Sequence, residues 1–578
     1  MKTRDLAVQE IVEQRRFGGV DLVIVLAVLC GLFIAVRVTD ASVSTFAPSE
    51  YATLDTSPWL LPWYAARSLS RMATGLVAAT LFTFVVGYWA AKSRRAERIL
   101  VPGVDILQSV PVLGFVAIAT TPFFVIFGSN STLALEGIVT FAVFTAMAWN
   151  MTLSFYHSLR MLPSDLVDAV HTMHLSRWLR LWRLEAPSAA IGLVWNAMMG
   201  FAGAWFMLVA SEAFTYNGQT YLVPGLGSYA QQALTDGSAT QVAWAIVAML
   251  SVIVLVNWLF WRPLAAWAER FKKEDVESAV TQQSAILNML RRARLPKHVG
   301  GFFTPLRERF NNAMRVTGFE NTYYAESQAK RRTLDIVVFG TATVLVGAGI
   351  AWMLVYIDNS AGLSSFVEAA WYGVLTLSRV AAVLVLSTIV WVPIGVWIGR
   401  SPRITKIAQP VVLVAASFPA NLLFPLVTAV FVALTIGLSW GSIFLMALGA
   451  QWYILFNVIA GASAIPTDLV EAADDLGLSR TLRWRRLFGP AIFPAFVTGA
   501  LTAAGGAWNA SIVAEVVTWG DTTLVTAGLG SYITEAQAHG DLAKVLVGVV
   551  VMCVYVVLMH RLIWRPLYRV AENKYAIT

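Results

Sequence analysis

Residues 465–490 read IPTDLVEAADDLGLSRTLRWRRLFGP and lie between two long apolar stretches. Pro466 suits the start of a short helix, and Asp468 and Glu471 follow in its first turn, where carboxylates are stabilised by the helix dipole. Gly477 supplies the left-handed residue that commonly ends a helix, and an arginine-rich arm follows it. The pattern predicts a helix-turn-helix at a membrane surface, with an acidic first arm and a basic second arm. Such a projection suits docking into a groove on another protein.

The composition around this stretch is that of a polytopic membrane protein. Of 578 residues, 57% are hydrophobic and 13% are charged, whereas soluble domains carry about 25% charged residues. The net charge of +8 gathers in short loops between apolar runs, which favours a topological role over a nucleic-acid partner. Cys30 and Cys553 are the two cysteines, and each lies alone in an apolar run, so no disulfide framework or zinc knuckle is indicated.

About twelve apolar stretches are long enough to cross a bilayer core of about 30 Å. They lie near residues 21–38, 66–91, 101–128, 134–156, 187–212, 241–261, 334–357, 372–399, 407–434, 440–462, 490–516 and 543–563. The segments between them are alternately rich in Lys and Arg, as in AKSRRAER at 91–98, or free of both, as at 518–541. The positive-inside rule therefore predicts that both termini are cytoplasmic. No small-residue cleavage site follows the first stretch, which predicts a retained helix.

An internal repeat organises these stretches. Residues 163–264 align without a gap with residues 466–567, and upstream Ser70-Arg71 aligns with Ser378-Arg379. Each repeat has an even number of helices, so the two should be parallel and related by an axis along the membrane normal. The predicted fold class is therefore an all-α polytopic membrane protein with about 12 transmembrane helices in two parallel six-helix repeats.

Five segments follow from the repeat. They are residues 1–60, with a cytoplasmic segment, first helix and outer loop; 61–264, the first unit; 265–333, a cytoplasmic linker; 334–366, the first helix of the second half; and 367–578, the second unit with a cytoplasmic tail. The linker has few apolar positions, which favours a structural role over a regulatory module.

The first repeat departs from the pattern at its helix-turn-helix. Asp168-Ala169-Val170 stands where the second repeat has Glu471-Ala472-Ala473, and His174 replaces Gly477. Without glycine, the turn is expected to be strained or differently shaped. Asp168, His171 and His174 are also spaced like ligands on one helical face, but a surface contact is favoured over a metal site, and no metal is predicted.

Two buried ion pairs are expected near the outer end of the membrane, one in each half. Glu212 and Glu515 come at the ends of apolar helices, and Arg71 and Arg379 lie at a similar depth in helices that enter from outside. Either Arg–Glu pair would form part of an outer gate, or would lock helices together in a purely architectural role.

Uncharged polar and tryptophan side chains within the spans are further candidates for a translocation path, because such groups usually face the protein interior. Helix packing is the alternative role for the tryptophans. The candidates are Gln108, Ser109, Trp205, Ser211, Ser417, Asn421, Trp508 and Asn509.

The run Glu471-Ala472-Ala473, three residues and then Gly477, with Pro490 beyond, resembles the EAA coupling loop of binding-protein-dependent ABC transporter permeases. The shared Gly-Ala-Trp, Gly-Leu-Gly-Ser-Tyr and Trp-Arg-Pro-Leu runs resemble the nitrate, sulfonate, taurine and bicarbonate branch, in a fused and duplicated arrangement. The resemblance implies a type I importer fold in a bacterial inner membrane. It also implies coupling residues in both loops, namely Asp168, Ala169, His171, His174, Arg177, Glu471, Ala472, Ala473, Gly477 and Arg480.

The implied partners are two cytoplasmic ATPase subunits, identical or not, a periplasmic or lipid-anchored solute-binding protein, and membrane lipid. ATP and Mg would be bound by the ATPases and no cofactor by this chain, which has no G-x-x-x-x-G-K-[ST] phosphate loop. The expected function is import of a small anionic solute, by a transport subunit and not an enzyme. The alternatives are an ion-coupled secondary transporter, or an ABC permease for an amino acid or an organic cation.

Overall fold

The computed structural model describes residue 37 and residues 53–109, 112–128, 131–173, 177–216, 219–271, 328–519 and 522–575. Within these ranges the chain is predominantly helical, which confirms the predicted fold class. The predicted first span, residues 21–38, lies outside the described ranges except for Arg37, and so does most of the predicted linker.

The first half of the chain, residues 53–271, runs as helices interrupted by one strand pair. Its elements are α1 Leu61–Phe82, α2 Tyr88–Lys92, α3 Arg94–Ser109, α4 Val112–Phe127, α5 Thr132–Arg160, α6 Ser164–Thr172, α7 Arg177–Arg180, α8 Ala186–Glu212, β1 Ala213–Tyr216, β2 Gln219–Leu222, α9 Leu226–Thr235, α10 Ala239–Val256 and α11 Arg262–Ala268.

The second half, residues 328–575, begins with α12 and then repeats the order of residues 53–271, with the single helix α13 at the positions of α1 and α2. Its elements are α12 Gln328–Ser360, α13 Ser365–Gly399, α14 Pro402–Ser417, α15 Phe424–Ala433, α16 Leu438–Ser463, α17 Thr467–Asp475, α18 Arg480–Arg483, α19 Gly489–Ala514, β3 Val516–Trp519, β4 Thr522–Val525, α20 Leu529–Ala538, α21 Leu542–Met559 and α22 Arg565–Tyr575. β1 pairs with β2 and β3 with β4, both antiparallel and in matching register.

Nine helices in the described part of the chain are long and apolar enough to cross a membrane. The predicted count of about twelve stays a prediction. The prediction of one continuous span over residues 407–434 is wrong: α14 ends at Ser417, and Phe418 and Pro419 adopt extended conformations. Proline disfavours the helical conformation at the residue before it, which explains the break. In the first half, the predicted span 101–128 falls on α3 and α4, and residues 110 and 111 between them lie outside the described part.

Two π-helical turns recur at equivalent positions of the two repeats, whereas a third, Thr83–Gly87, falls where α13 is continuous. Leu181–Glu185 corresponds to Trp484–Phe488, just before the long helices α8 and α19. Asn257–Trp261 corresponds to His560–Trp564, after α10 and α21. A π turn inserts one residue into the helical ladder, so the same insertion has been kept in both copies. The internal repeat therefore extends to local backbone geometry.

The described residues form two compact units. Residues 154–173, 177–198, 255–271 and 328–332 belong to one, and residues 53–153, 199–254 and 333–575 belong to the second, apart from the undescribed positions within them. The smaller unit has a buried cluster of Val194, Ala265 and Ala268, against which Ile191, Leu264 and Trp267 pack.

In the larger unit, α16 and α19 pack closely because glycines remove side chains from their contact. A Cβ on Gly499 of α19 would lie 2.9 Å from the Tyr453 carbonyl oxygen and 2.9 Å from Asn457 Cβ. Gly461 of α16 faces Ala495 in the same way, with its virtual Cβ 2.6 Å from the alanine Cβ. Small residues let membrane helices approach, and the contact is then dominated by van der Waals packing.

The Gly499→Ala variant should therefore destabilise the protein by about 1–3 kcal/mol, because the new methyl group overlaps backbone that cannot move independently. Gly505→Ala in the same helix is the matched control, since a Cβ there meets no described atom within 4 Å. The midpoint temperature of unfolding of the detergent-solubilised protein measures both. Equal midpoints for the two variants would contradict the packing explanation.

Candidate functional site

In each half, a buried carboxylate accepts hydrogen bonds from the first turn of a short helix. Glu212, the last residue of α8, is fully buried and accepts a hydrogen bond at 2.6 Å from the backbone N–H of Gly227 in the first turn of α9. Its own carbonyl oxygen accepts a 2.8 Å bond from the N–H of Val223. The first N–H groups of a helix lack intrahelical partners and lie at the positive end of its dipole, so an anion is stabilised there.

The second half repeats this arrangement with Glu515. Its carboxylate accepts bonds from the N–H groups of Gly530 at 2.7 Å and Ser531 at 3.2 Å, in the first turn of α20. The glycine before each helix is required by the close approach: a Cβ on Gly225 or Gly528 would lie 2.2 Å from a carboxylate oxygen of Glu212 or Glu515, respectively. The repeated Gly-Leu-Gly-Ser run therefore accommodates the carboxylate.

An arginine and a hydroxyl are the remaining hydrogen-bond partners of each carboxylate. Arg71 Nη1 lies 2.6 Å from Glu212 Oε1, and Ser68 Oγ donates to the same oxygen at 2.6 Å. In the second half, Arg379 Nη1 lies 2.7 Å from Glu515 Oε1, and Thr376 Oγ1 takes the place of the serine at 2.7 Å.

Each hydroxyl in turn accepts a backbone bond, from Leu226 N–H to Ser68 at 2.9 Å and from Leu529 N–H to Thr376 at 2.8 Å. The structure thus brings together both predicted Arg–Glu pairs, and Ser68 and Thr376 as well. We call them the first and second carboxylate sites. Their assignment to an outer gate stays a prediction.

The first carboxylate site contains a second ion pair that the second site lacks. The carboxylate of Glu136 in α5 accepts two hydrogen bonds from Arg71, at 2.5 and 2.7 Å, and one from Arg67 at 2.5 Å. At the positions equivalent to Glu136 and Arg67, the second half has Ser439 and Leu375.

Ser439 lies 3.1 Å from the hydroxyl of Thr526, which accepts a 3.0 Å bond from Arg379 Nη2. A neutral hydroxyl chain in the second site therefore replaces a charged network in the first. Glu136 and Arg67 were not predicted from the sequence, although an acidic residue inside an apolar run was a usable signal.

The two sites should respond differently to loss of the capping charge. Glu515→Gln leaves Arg379 buried with no carboxylate, and we expect a loss of about 3–5 kcal/mol. Glu212→Gln leaves Arg71 paired with Glu136, and the expected loss is about 1.5–3 kcal/mol, that of one charged hydrogen bond. Thermal unfolding in detergent compares the two variants. A larger loss for Glu212→Gln would contradict the assigned network.

The second hairpin, residues 466–490, forms the predicted helix-turn-helix. Gly477 has φ +59°, and its N–H donates to the carbonyl of Asp474 at 2.9 Å, while Leu478 N–H reaches the carbonyl of Ala473 at 3.2 Å. This pair of bonds is the Schellman pattern that ends a helix. Ser479 then caps α18 by accepting from Leu482 N–H at 3.4 Å.

Arg483 fixes the angle between the two arms of the second hairpin. It forms an ion pair with Asp474, and its Nε donates to the carbonyl of Leu478 at 2.8 Å. The outer face of α17 is left exposed: Leu469 and Leu476 are 46% and 74% exposed, and Ala472 lies between them. An exposed apolar strip on a small, well-tied helix is typical of a contact surface.

The predicted coupling residues of this hairpin divide between its surface and its interior. Glu471, Ala472, Gly477 and Arg480 are exposed, and Ala473 is buried under the turn.

The first hairpin, residues 163–187, presents a similar apolar strip. Leu166 is 37% and Met173 is 70% exposed, and Ala169 between them is also exposed, at the positions equivalent to Leu469, Leu476 and Ala472. Asp168 is exposed as well. His174 and the side chains of His171 and Arg177 lie outside the described part of the chain. The metal-like pattern predicted for Asp168, His171 and His174 therefore falls partly outside it too.

The internal ion pair of the first hairpin differs from that of the second. Arg180 bonds Glu185 at 2.7 Å, whereas its equivalent Arg483 pairs with Asp474. The sequence accounts for the exchange, because the first repeat has His171 in place of Asp474, and the second has Phe488 in place of Glu185. The two hairpins are thus stabilised by different contacts under a shared apolar surface.

Several predicted path residues have structural partners. Trp205 and Trp508 are each 1% exposed, packed near Phe201 and Tyr555. Four more of the predicted residues form hydrogen bonds within their own helices. They are Gln108 with Asp105, Ser211 with Leu208, Ser417 with Leu413, and Asn509 with Gly505. Asn421 lies in the 3-10 turn between α14 and α15, and its Oδ1 is buried without a described partner. The side chain of Ser109 lies outside the described part.

Asn509 also makes a contact between the halves. Its Oδ1 accepts a 2.7 Å bond from the N–H of Val112, the first residue of α4. The first N–H groups of a helix have no intrahelical acceptors, and Val112 is the first described residue of α4. An amide of the second half therefore caps a helix of the first half.

Two segments of the chain, residues 83–261 and 391–564, match the protein family described as binding-protein-dependent transport system inner membrane component. Together they make up more than half of the chain. The chain belongs to this family. The double match confirms that it is a duplicated permease, and the apolar helices agree with a multi-pass membrane protein.

Relatives with stated substrates are about a quarter identical to this permease over the aligned segments. The nitrate import permease protein NrtB of Leptolyngbya laminosa is 27% identical over 193 residues, which cover 33% of this chain and 66% of the relative. The bicarbonate transport system permease protein CmpB of a Synechocystis species is 28% identical over 181 residues, covering 31% and 61%. The glycine betaine/proline betaine transport system permease protein ProW of Escherichia coli is 25% identical over 226 residues, covering 38% and 60%.

Proposed function

We propose that this chain is the membrane-spanning subunit of an ATP-driven importer that carries a small anionic solute into the cytoplasm by alternating access. Two ATPase subunits would bind ATP and Mg on the cytoplasmic side, and a solute-binding protein would deliver the solute from outside. Both termini would be cytoplasmic, in a bacterial inner membrane. The observation that carries the proposal is the pair of exposed hairpins inside a duplicated permease.

The hairpins are suited to transmit force from an ATPase. The Asp474–Arg483 ion pair and the Schellman turn hold the arms of the second hairpin at a fixed angle, and Arg180–Glu185 ties the base of the first. A rigid projection with an apolar strip can bury that strip in a partner groove and move with it. The surrounding acidic residues, including Asp468 and Glu471, would add electrostatic selectivity at the rim.

The carboxylate sites are suited to the outer gate. Each joins the end of a long helix, a β-hairpin and a short helix to the helix that carries the arginine. Because every polar group in such a network needs its partner, the outer elements of each half should move as one body. Alternating access would then proceed between two discrete arrangements, driven by the different affinities of ATP and solute for each.

An anionic solute is the proposed cargo because the nitrate and bicarbonate permeases are among the relatives. The betaine permease among the relatives supports a second candidate, a zwitterionic or cationic organic solute. Uptake into proteoliposomes containing the permease, its ATPases and its binding protein separates the two, with labelled nitrate, bicarbonate and glycine betaine as probes. Uptake that follows an imposed ion gradient without ATP would contradict the ATP-driven proposal.

Charging the apolar strip should release the ATPase. We expect the double variant Leu469→Glu with Leu476→Glu to lose at least about 90% of the ATPase that co-purifies with the wild type from native membranes, because two new carboxylates would be desolvated at the contact. Val570→Glu, on the exposed face of α22, is the matched control for added charge and should retain the ATPase. Full retention by the double variant would exclude this strip as the docking surface.

The hairpins should contribute unequally. The pair Leu166→Glu with Met173→Glu introduces the same charges at the equivalent positions of the first hairpin, where the turn lacks the glycine. We expect this variant to retain more ATPase and more ATPase stimulation by the binding protein than its counterpart. Equal losses from the two double variants would contradict the asymmetry and favour equivalent docking.

A further inference from the structure

Tyr453 of α16 lies where the long helices of the two halves converge. A Cβ on Gly203 of α8 would lie 3.2 Å from the Tyr453 hydroxyl, and a Cβ on Gly506 of α19 would lie 3.4 Å from Cε2 of the same ring. Gly203 and Gly506 are equivalent positions of the repeat. One ring of the second half is therefore in contact with the same point on both central helices.

The residues one turn to either side of these glycines form one stripe on each helix. On α19 they are Thr502 and Asn509, and the Asn509 amide reaches Val112 of the first half, so this stripe is directed toward that half. Thr502 is exposed and Asn509 is half-buried, although both lie within a membrane-spanning helix. A stripe of polar side chains that stays partly exposed within a membrane-spanning helix is typical of a wall facing a water-accessible passage.

The equivalent stripe on α8 is apolar. Met199 corresponds to Thr502 and Phe206 to Asn509, and both are half-buried beside Gly203, which faces Tyr453 of the second half. Two walls that a perfect duplication would make identical thus differ in chemistry. A hydroxyl and an amide on α19 correspond to a thioether and an aromatic ring on α8, and neither stripe contributes a charged side chain.

We infer that Met199 and Phe206 on one side, and Tyr453, Thr502 and Asn509 on the other, line the passage and determine which solutes cross it. This inference rests on the proposed transport function. The walls suit a solute with a hydrogen-bonding end and an apolar portion: the apolar wall gains from contact with methylene groups, while a bare inorganic anion gains nothing there and loses water. The hydroxyl and amide wall would receive the polar end without holding it tightly, as release requires.

Cysteine labelling tests the position of the walls. Thr502→Cys and Phe206→Cys would be made in a chain carrying Cys30→Ser and Cys553→Ser, and treated in the full complex with the membrane-impermeant sulfonatoethyl methanethiosulfonate. Both should label about tenfold faster or more than Ala504→Cys, a buried position on α19, because the reaction needs a water-accessible thiolate. Val385→Cys, on the exposed face of α13, controls for exposure to lipid. Labelling of neither wall position would overturn the inference.

Exchange of the wall chemistry tests its effect on specificity. Met199→Thr adds a hydroxyl to the apolar wall, and Thr502→Met replaces the hydroxyl of the polar wall with a thioether, each by copying the residue of the other half. In proteoliposomes containing the complex, the uptake ratio of hexanesulfonate to nitrate should fall about fivefold to tenfold in the first variant and rise in the second. An unchanged ratio in both, or a wild-type complex that carries nitrate but no alkanesulfonate, would overturn the assignment.

The two proposals fail separately. If the wild type shows no ATP-driven uptake of any probe, the proposed importer function is contradicted, whereas rapid labelling of both wall positions would still support the water-accessible walls. If uptake is ATP-driven but labelling at Thr502→Cys and Phe206→Cys matches the buried control, the importer function stands and the assignment of the walls is refuted.

Discussion

The placement of one buried carboxylate against the first turn of a short helix organises one end of each half. Glu212 and Glu515 accept backbone N–H groups, an arginine and a hydroxyl at once, so the end of one helix, the start of a second and the interior of a third meet at a single side chain. Burying such a charge is costly unless it is fully paired. The arginine, the hydroxyl and the glycine that makes room for the carboxylate are therefore consequences of having the glutamate there.

The same constraint shows how far two copies of one unit can diverge. The first carboxylate site adds Glu136 and Arg67, and the second fills the equivalent space with Ser439 and Leu375, yet both leave the central arginine satisfied. The hairpins follow the same rule, with Arg180 and Arg483 each retained but paired with different acids. Divergence has occurred in pairs of positions, and at the carboxylate sites this is expected because an unpaired buried charge is costly.

Local and periodic features were predictable from the sequence. The turn at Gly477, the repeat and the apolar helices follow from residue type and spacing, and the Arg71–Glu212 pair from the cost of charge at depth. The role of Glu136 was not predictable, because its partners lie far away in sequence and no spacing rule connects them. The break at Phe418–Pro419 was missed because a proline in an apolar run is compatible with both a kinked and an interrupted helix. Helix rotation, which decides whether Trp508 or Thr502 meets open space, depends on packing that a single sequence does not encode.

The bond from Val112 N–H to Asn509 bears on why the duplication exists as one polypeptide. In a homodimer of the first half, Phe206 would occupy the position of Asn509 and the leading N–H of α4 would face an aromatic ring. In a homodimer of the second half, Asn509 would meet the N-terminal turn at Ala420 in both protomers. The two halves are therefore not interchangeable at this contact, and their covalent link guarantees that each complex contains one of each.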